Sequence, residues 1–320
     1  MTDPATLAAT RFPVGVTRTW LAVGRAAAGP TALPLVVLQG SKPGPRVVVI
    51  AAQHGDEGYA VLGCHRLAET VDPDALRGSL WLLPCLNVDG FIHGARTSPF
   101  DRQDMNRVHP GSAGGTVTEQ ISDVLLRHVL PGADLLIDLH GGSPENGDIA
   151  FARWTDAPGK PALEPLVRSL AVRFVLAPGA RDVPGMLSGA TAAIGVPQVS
   201  IEACNGYGRA TDNAGEMAGF VLDALRVLEM LPGPAPTPRA DLPACRTVTH
   251  RAAAGGAWEP VVTFGQVLRE GEPVGVVRDL LGERVQEVRA AATGSVAVMR
   301  TGTKVHAGET LMTMAVPVDG

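Results

Sequence analysis

The chain has 320 residues, a formal net charge of −5, 45% hydrophobic residues and only 4% aromatic ones. That is enough chain to bury one large core, or one medium and one small core. The acidic balance gives no basic footprint for nucleic acid or an anionic membrane, and the scarcity of aromatic rings argues against base-stacking platforms.

No apolar run reaches membrane-spanning length. The N-terminal stretch MTDPATLAATRFPVG carries an early Asp and lacks a basic region leading into an apolar one, so it reads as a poor secretory signal. Cys64, Cys85, Cys204 and Cys245 are widely spread and form no CxxC pair, which argues against a zinc knuckle or a disulfide framework. These features together predict a cytoplasmic protein with neither nucleic-acid nor membrane partners.

In chain order, apolar runs rich in Val, Ile and Leu occur at PLVVLQG, RVVVIAAQH, GSLWLLPCLN, ADLLIDLHG, VRFVLAPG and VPQVSIEACNG. Such near-continuous runs suit strands covered on both faces. Between them, GYAVLGCHRLAETV and TEQISDVLLRHVL have helical spacing, and AGEMAGFVLDALRVLEML reads as a closing helix. Strands alternating with helices predict an α/β sheet flanked by helices, over residues 1–231. Five prolines in LPGPAPTPRADLP then break any regular element, giving a linker over 232–244. Residues 245–320 are short apolar runs separated by turn residues, the pattern of a small all-β barrel or sandwich.

Polar residues gather where these strands should end. His54 and Glu57 follow RVVVIAA, Asn87 and Asp89 follow SLWLLPCL, His140 follows ADLLIDL and Glu202 follows PQVSI. Ligands of α/β sheets collect at that edge. A His-x-x-Glu pair with a distant His offers Zn²⁺ three protein ligands and leaves one position open, the pattern of a catalytic site. Glu202 is then available as a general base for an activated water. Each cluster alone has a plainer explanation, a solvated turn or an exposed loop; four at four strand ends are hard to explain that way. His65, His128, His250 and His306 lie in helix-like or β-rich segments and read as structural or surface residues, whereas His93 and His109 flank the next motif as candidate secondary contacts.

The segment GARTSPFDRQDMNRVHPG, residues 94–111, carries Arg96, Arg102 and Arg107 beside Asn106. Arginine grips carboxylates through two parallel hydrogen bonds, a geometry lysine does not reproduce, and near a metal it can hold a developing oxyanion. Residues 141–155 and 203–209, the latter containing Tyr207, are candidates for lining the pocket.

Taken in order, QHGDE, DMNR with HPG, DLHGG and IEACNG resemble the succinylglutamate desuccinylase/aspartoacylase family of the zinc carboxypeptidase clan. The resemblance extends over nearly the whole chain, including AAATGSVAVMRTGTKVHAGETLMTMA near the end. It implies a zinc-carboxypeptidase-like mixed sheet, one Zn²⁺ per chain held by His54, Glu57 and His140, and Glu202 as the base. It implies Asn106 and Arg107 as the grip on a substrate carboxylate and Arg96, rather than Arg102, as the group polarising the scissile carbonyl; Arg102 and Tyr207 are candidate substrate contacts from their place in the two loops. The implied reaction is hydrolysis of the amide of a small N-acyl amino acid. The sequence departs from the family at His109, where an aromatic Phe is usual. Asp138 could orient the His140 imidazole, or equally be a buried strand-end carboxylate satisfied by backbone amides.

Lys304 lacks the MKM-like or DKA-like setting of a biotinyl or lipoyl carrier domain, so the C-terminal segment reads as a cover over the site entrance or an assembly contact, and a homo-oligomer remains open. A carboxypeptidase, a general small-molecule amidase and a non-catalytic zinc-binding protein are the competing functions.

Overall fold

The computed structural model describes residues 1–26, 29–177, 183–204 and 212–318. Its first strands are β1 (Gly15–Ala26), β2 (Gly29–Gln39), β3 (Lys42–Ala51) and β4 (Arg77–Leu83). The central group is β5 (Leu135–His140), β6 (Asn146–Thr155), β7 (Phe174–Leu176) and β8 (Gln198–Cys204). The C-terminal strands are β9 (Ala244–Arg251), β10 (Gly256–Pro260), β11 (Val267–Leu268), β12 (Pro273–Arg278), β13 (Arg284–Arg289), β14 (Gly294–Arg300), β15 (Lys304–Val305) and β16 (Thr310–Pro317). The helices are α1 (Gly58–Thr70), α2 (Val88–Ile92), α3 (Val117–Val124), α4 (Glu164–Ser169), α5 (Leu187–Ala193) and α6 (Asn213–Val227).

A twelve-stranded mixed sheet runs in the order β1-β2-β4-β3-β5-β8-β6-β7-β9-β16-β14-β11. Strands β4, β3, β5 and β8 are parallel neighbours, with Ile50 opposite Leu83, Ala51 opposite Leu139 and His140 opposite Glu202. Their valines and leucines are buried on both faces. Val47, Val49, Leu135, Ile137 and Val199 pack towards α1 and α6, while Val48, Ile50 and Leu136 pack towards α3 on the other side. Two-sided burial is the physical reason these strands read as unbroken apolar runs.

The TEQISDVLLRHVL segment forms α3 and then widens into a π turn over Leu125–Val129. The helix starts on a reciprocal cap: Thr116 Oγ1 accepts from Glu119 N, and Thr116 N donates to Glu119 Oε2 at 2.8 Å. No helix among the described residues is long and apolar enough to cross a membrane.

The sheet continues past the proline-rich stretch. β6 pairs with β8 on one side and, through Asn146–Asp148, with Val298–Arg300 of β14. The pairings β6–β7–β9–β16–β14–β6 therefore close on themselves. The C-terminal strands complete their barrel with two strands from the earlier part of the chain. A second sheet, β13-β12-β10-β15, packs Trp258, Val274, Val277 and Val288 into the C-terminal core.

Arg300 ties this junction together. Its side chain is buried and donates from Nη1 to Glu145 Oε2 at 2.7 Å and to Lys304 O at 2.9 Å, while Nη2 lies 3.1 Å from Glu309. Thr301 N and Gly302 N donate to Glu145 O. Arg300→Met keeps the apolar stem but removes these bonds. Because Glu145 and Glu309 keep partial contact with water, the expected loss is about 1–3 kcal/mol of unfolding free energy, measurable by urea denaturation.

Candidate active site

β3 ends at Ala51, and the chain reverses through Ala52, a buried non-glycine residue at φ 50°. The turn is locked by the segment after β4: Leu86 N donates to Ala51 O and Asn87 N to Ala52 O. Gly55 then passes so close to Gly90 that a Cβ on it would lie 2.2 Å from a backbone carbon, so no larger residue fits unless that backbone moves. This tight path presents His54 and places Glu57 at the N-cap of α1. On the neighbouring strand, β5 ends at His140. Gly141 follows at φ 133°, where a Cβ would meet the Ala203 backbone at 2.5 Å.

His54, Glu57 and His140 are all buried, and one ligand atom from each lies within 4.8 Å of the others. His140 Nδ1 is 3.0 Å from Glu57 Oε2, and His140 Nε2 is 3.0 Å from Asp138 Oδ2. Burial disfavours the charged His140 imidazole, but the Asp138 and Glu57 carboxylates outweigh it and hold its pKa well above the ordinary value. Burial, then the charge of Arg96, pushes His54 well below the ordinary value, so it stays neutral. His54 Nδ1 has no hydrogen-bond partner among the described residues, and Asp104 Oδ1 lies 3.6 Å away.

This donor set fits a zinc ion. A neutral imidazole with an orphaned buried nitrogen has a lone pair to offer, and the facing His140 nitrogen and Glu57 oxygen need a cation or proton between them. The Asp138 carboxylate on the far nitrogen of His140 is the arrangement that fixes a metal-ligating tautomer. Asp138 is thus bonded to side chains: Gln53 Nε2 donates at 2.8 Å and Gln198 Nε2 at 3.3 Å, both to Oδ2.

A cavity of about 430 Å³ opens beside the three residues. Arg96, Asn106, Arg107, Arg153, Asp148 and Glu202 line it on the α/β side; Thr249, Arg251, Val298 and Thr313 come from the C-terminal strands. Glu202 sits one strand across from His140 and faces Phe151 of β6 on its other side. Arg96, half exposed, donates from Nε and Nη2 to Asp104 Oδ2 at 3.2 and 3.0 Å and reaches to 4.0 Å from Glu57 Oε1. Asn106 Oδ1 accepts from Leu187 N at 2.9 Å, which leaves its amide N–H groups as what Asn106 can offer a carboxylate. Arg107 Nη1 donates to Asn106 O at 2.6 Å.

Not every candidate converges. Arg102 is exposed at φ 57° and does not line the cavity. Asn87 and Asp89 do not line it either: Asn87 caps α2 through Gly90 N and donates to Arg96 O. His93 is exposed and bonds the Asp89 carbonyl. Tyr207 lies outside the described residues.

Several contributors were not singled out by sequence reasoning. Asp104, inside the DMNR motif, accepts from Asn106 N as well as from Arg96 and so holds both in place. Its signal was local, since Asp readily accepts from the backbone two residues on. Arg251, Thr313 and their neighbours carried no sequence signal, because their strands, β9 and β16, meet the site only through the closed ring of pairings. Asp148 is buried in β6, accepts from Gly142 N at 3.1 Å, and has no partner on Oδ1 among the described residues.

The model of the succinylglutamate desuccinylase/aspartoacylase catalytic domain matches residues 43–228, more than half of the chain. The chain belongs to this family. It is 32% identical over 124 residues to the N-alpha-acetyl-L-2,4-diaminobutyric acid deacetylase of Halomonas elongata; the match covers 39% of this chain and only 36% of that relative's length. The product-bound ectoine utilization protein EutE (DoeB) of Ruegeria pomeroyi is similar at 25% identity and a TM-score of 0.83, covering 95% of this chain and 96% of that one. A succinylglutamate desuccinylase of Silicibacter sp. TM1040 is similar at 25% identity and a TM-score of 0.81, with 96% of each chain covered.

Burial, then the Glu202 carboxylate, holds the Asp148 pKa well above the ordinary value. An acid whose pKa is raised on folding contributes its full stability below the unfolded value and loses it as pH rises towards the folded one. Metal-free wild type should therefore lose stability relative to Asp148→Asn as pH rises above about 4. Parallel urea titrations across pH should show that gap opening in favour of the variant; a pH-independent gap would contradict a neutral buried Asp148.

Proposed function

We propose that the chain is a zinc-dependent hydrolase that cleaves the amide bond of a small N-acyl amino acid. The observation that carries this reading is the convergence on one cavity of His54, Glu57 and His140 with Glu202, Arg96, Asn106 and Arg107. The naming of relatives for deacetylation and desuccinylation of amino acids supports the same reaction class.

His54, Glu57 and His140 would hold the ion, which supplies Lewis-acid activation of water and of the amide carbonyl. Glu202 takes the proton of the attacking water and returns it to the leaving amine. Arg96, kept in place by Asp104, donates to the carbonyl oxygen as charge develops there. Arg107 and the Asn106 amide hold the carboxylate beside the scissile bond and so fix the amide in line with Glu202. The wall formed by Thr249, Arg251, Val298 and Thr313 limits the cavity to about 430 Å³, room for a small acyl amino acid. A carboxypeptidase needs space for a polypeptide on that side, so this wall favours the deacylase.

Glu202→Gln is nearly isosteric but cannot accept the proton. Turnover should fall by about 10²–10⁴-fold, while zinc content, read by atomic absorption, stays near one ion per chain as in a three-ligand site. Near-normal turnover with zinc bound would move the base elsewhere. Asp56, which also lines the cavity and whose Oδ1 lacks a partner among the described residues, would be the first alternative.

The carboxylate grip is tested with a panel of N-acyl amino acids and their neutral amide analogues, following release of free amine. Arg107→Lys keeps the charge but not the two-pronged geometry, so kcat/KM should fall at least tenfold, the equivalent of about 1.4 kcal/mol. Wild type should discriminate against the neutral analogue, and the variant much less. Equal hydrolysis of acid and neutral analogue by wild type would instead make the protein a general amidase.

A further inference from the structure

A buried chain of hydrogen bonds leads away from the metal-binding residues to the far side of the sheet. Gln53 Nε2 donates to Asp138 Oδ2 at 2.8 Å, and Asp138 Oδ2 in turn faces His140 Nε2. Gln53 Oε1 lies 3.0 Å from His109 Nε2, and His109 Nδ1 lies 2.6 Å from Ser122 Oγ in α3. Gln53, Asp138 and Ser122 have no exposure at all, and His109 is buried.

Donor and acceptor roles along this chain are mutually determined. Asp138 accepts, so Gln53 must point its amide nitrogen at it and its carbonyl oxygen at His109. His109 must then donate from Nε2, which leaves Nδ1 as an acceptor for the Ser122 hydroxyl. Burial pushes His109 down to about 4, so it is neutral near pH 7 and holds a single ring proton. Were the Gln53 amide flipped, its oxygen would face the Asp138 carboxylate and its nitrogen would face the His109 N–H. Both contacts would be repulsive in a site closed to water.

We propose that His109 is a positioning residue for the metal site: through Gln53 it holds Asp138 against His140 and so presents His140 Nδ1 to the ion. This rests on the metal-site reading above but assigns a role to a residue that touches neither the ion nor the substrate. It also gives a physical role to His109 at the position where the sequence leaves the family pattern.

The experiment is zinc affinity of the full chain, measured by competition with a chromogenic chelator. His109→Phe keeps the ring volume and removes the donor. His109→Gln restores an N–H at a similar reach. Ser122→Ala frees the His109 tautomer without touching Gln53. Loss of a ligand's direct hydrogen-bond partner typically weakens metal binding about 10–100-fold; His109 stands two hydrogen bonds further out, so a loss of about tenfold is the expectation for His109→Phe. His109→Gln should recover most of the affinity, and Ser122→Ala should fall between.

Zinc binding by His109→Phe or Ser122→Ala equal to wild type overturns the proposal. So does a folded His109→Gln that binds as weakly as His109→Phe, since packing alone would then be the cause. If His109→Phe does not fold by circular dichroism, Ser122→Ala decides. Wild type that fails to bind zinc removes the metal-site reading itself and this proposal with it, an outcome distinct from any difference between variants.

Discussion

The parallel register of β3, β5 and β8 is the constraint on which the site depends. Ala51 lies opposite Leu139, and His140 opposite Glu202, so the residues just beyond these strand ends meet at one edge of the sheet. A slip of one residue in β5 would turn His140 to the other face, because side chains alternate along a strand. The apolar runs that bury both faces of these strands are what forbid such a slip. The hydrophobic core and the proposed ligand set are thus specified by the same residues.

That edge concentrates charge in a place that water barely reaches. Glu57, Asp138, Asp148 and His140 are all buried, and transferring an unpaired ion into such a setting costs several kcal/mol. The protein offsets the cost in two ways. Asp138 collects donors from His140, Gln53 and Gln198 on one oxygen, and Asp148 is held towards its neutral form. What remains is the orphaned His54 nitrogen and the facing pair of His140 and Glu57. A divalent ion would satisfy both at once, which would couple metal binding to folding.

Legibility followed locality. β3, β5 and β8 and the helices α1 and α6 announced themselves, because two-sided burial and helical periodicity are written in short windows. The family was legible for the same reason, each motif being a few residues at a strand end. β1 and β6 were not read, since neither is a pure apolar run: β6, NGDIAFARWT, mixes a buried Asp and an Arg with its apolar residues because it faces the cavity along part of its length. Arg102 looked equivalent to Arg96 and Arg107 as a residue type. The structure separates it: Arg102 is exposed, sits at positive φ and does not line the cavity.

Which residues of the C-terminal strands line the cavity was beyond sequence reasoning for a topological reason. Thr249, Arg251 and Thr313 reach the cavity because β14 pairs with β6, a contact between residues some 150 positions apart. β6 is shared: one side pairs with β8, which carries Glu202, and its first residues pair with the strand that carries Arg300. Any shift of the C-terminal strands therefore moves the backbone that holds Asp148 and the loop from Gly141 to Asn146. A hinged lid needs weak contacts at its base, whereas here the base is a closed ring of strand pairings and a buried arginine. The geometry favours a fixed wall beside the cavity over a cover that opens and closes.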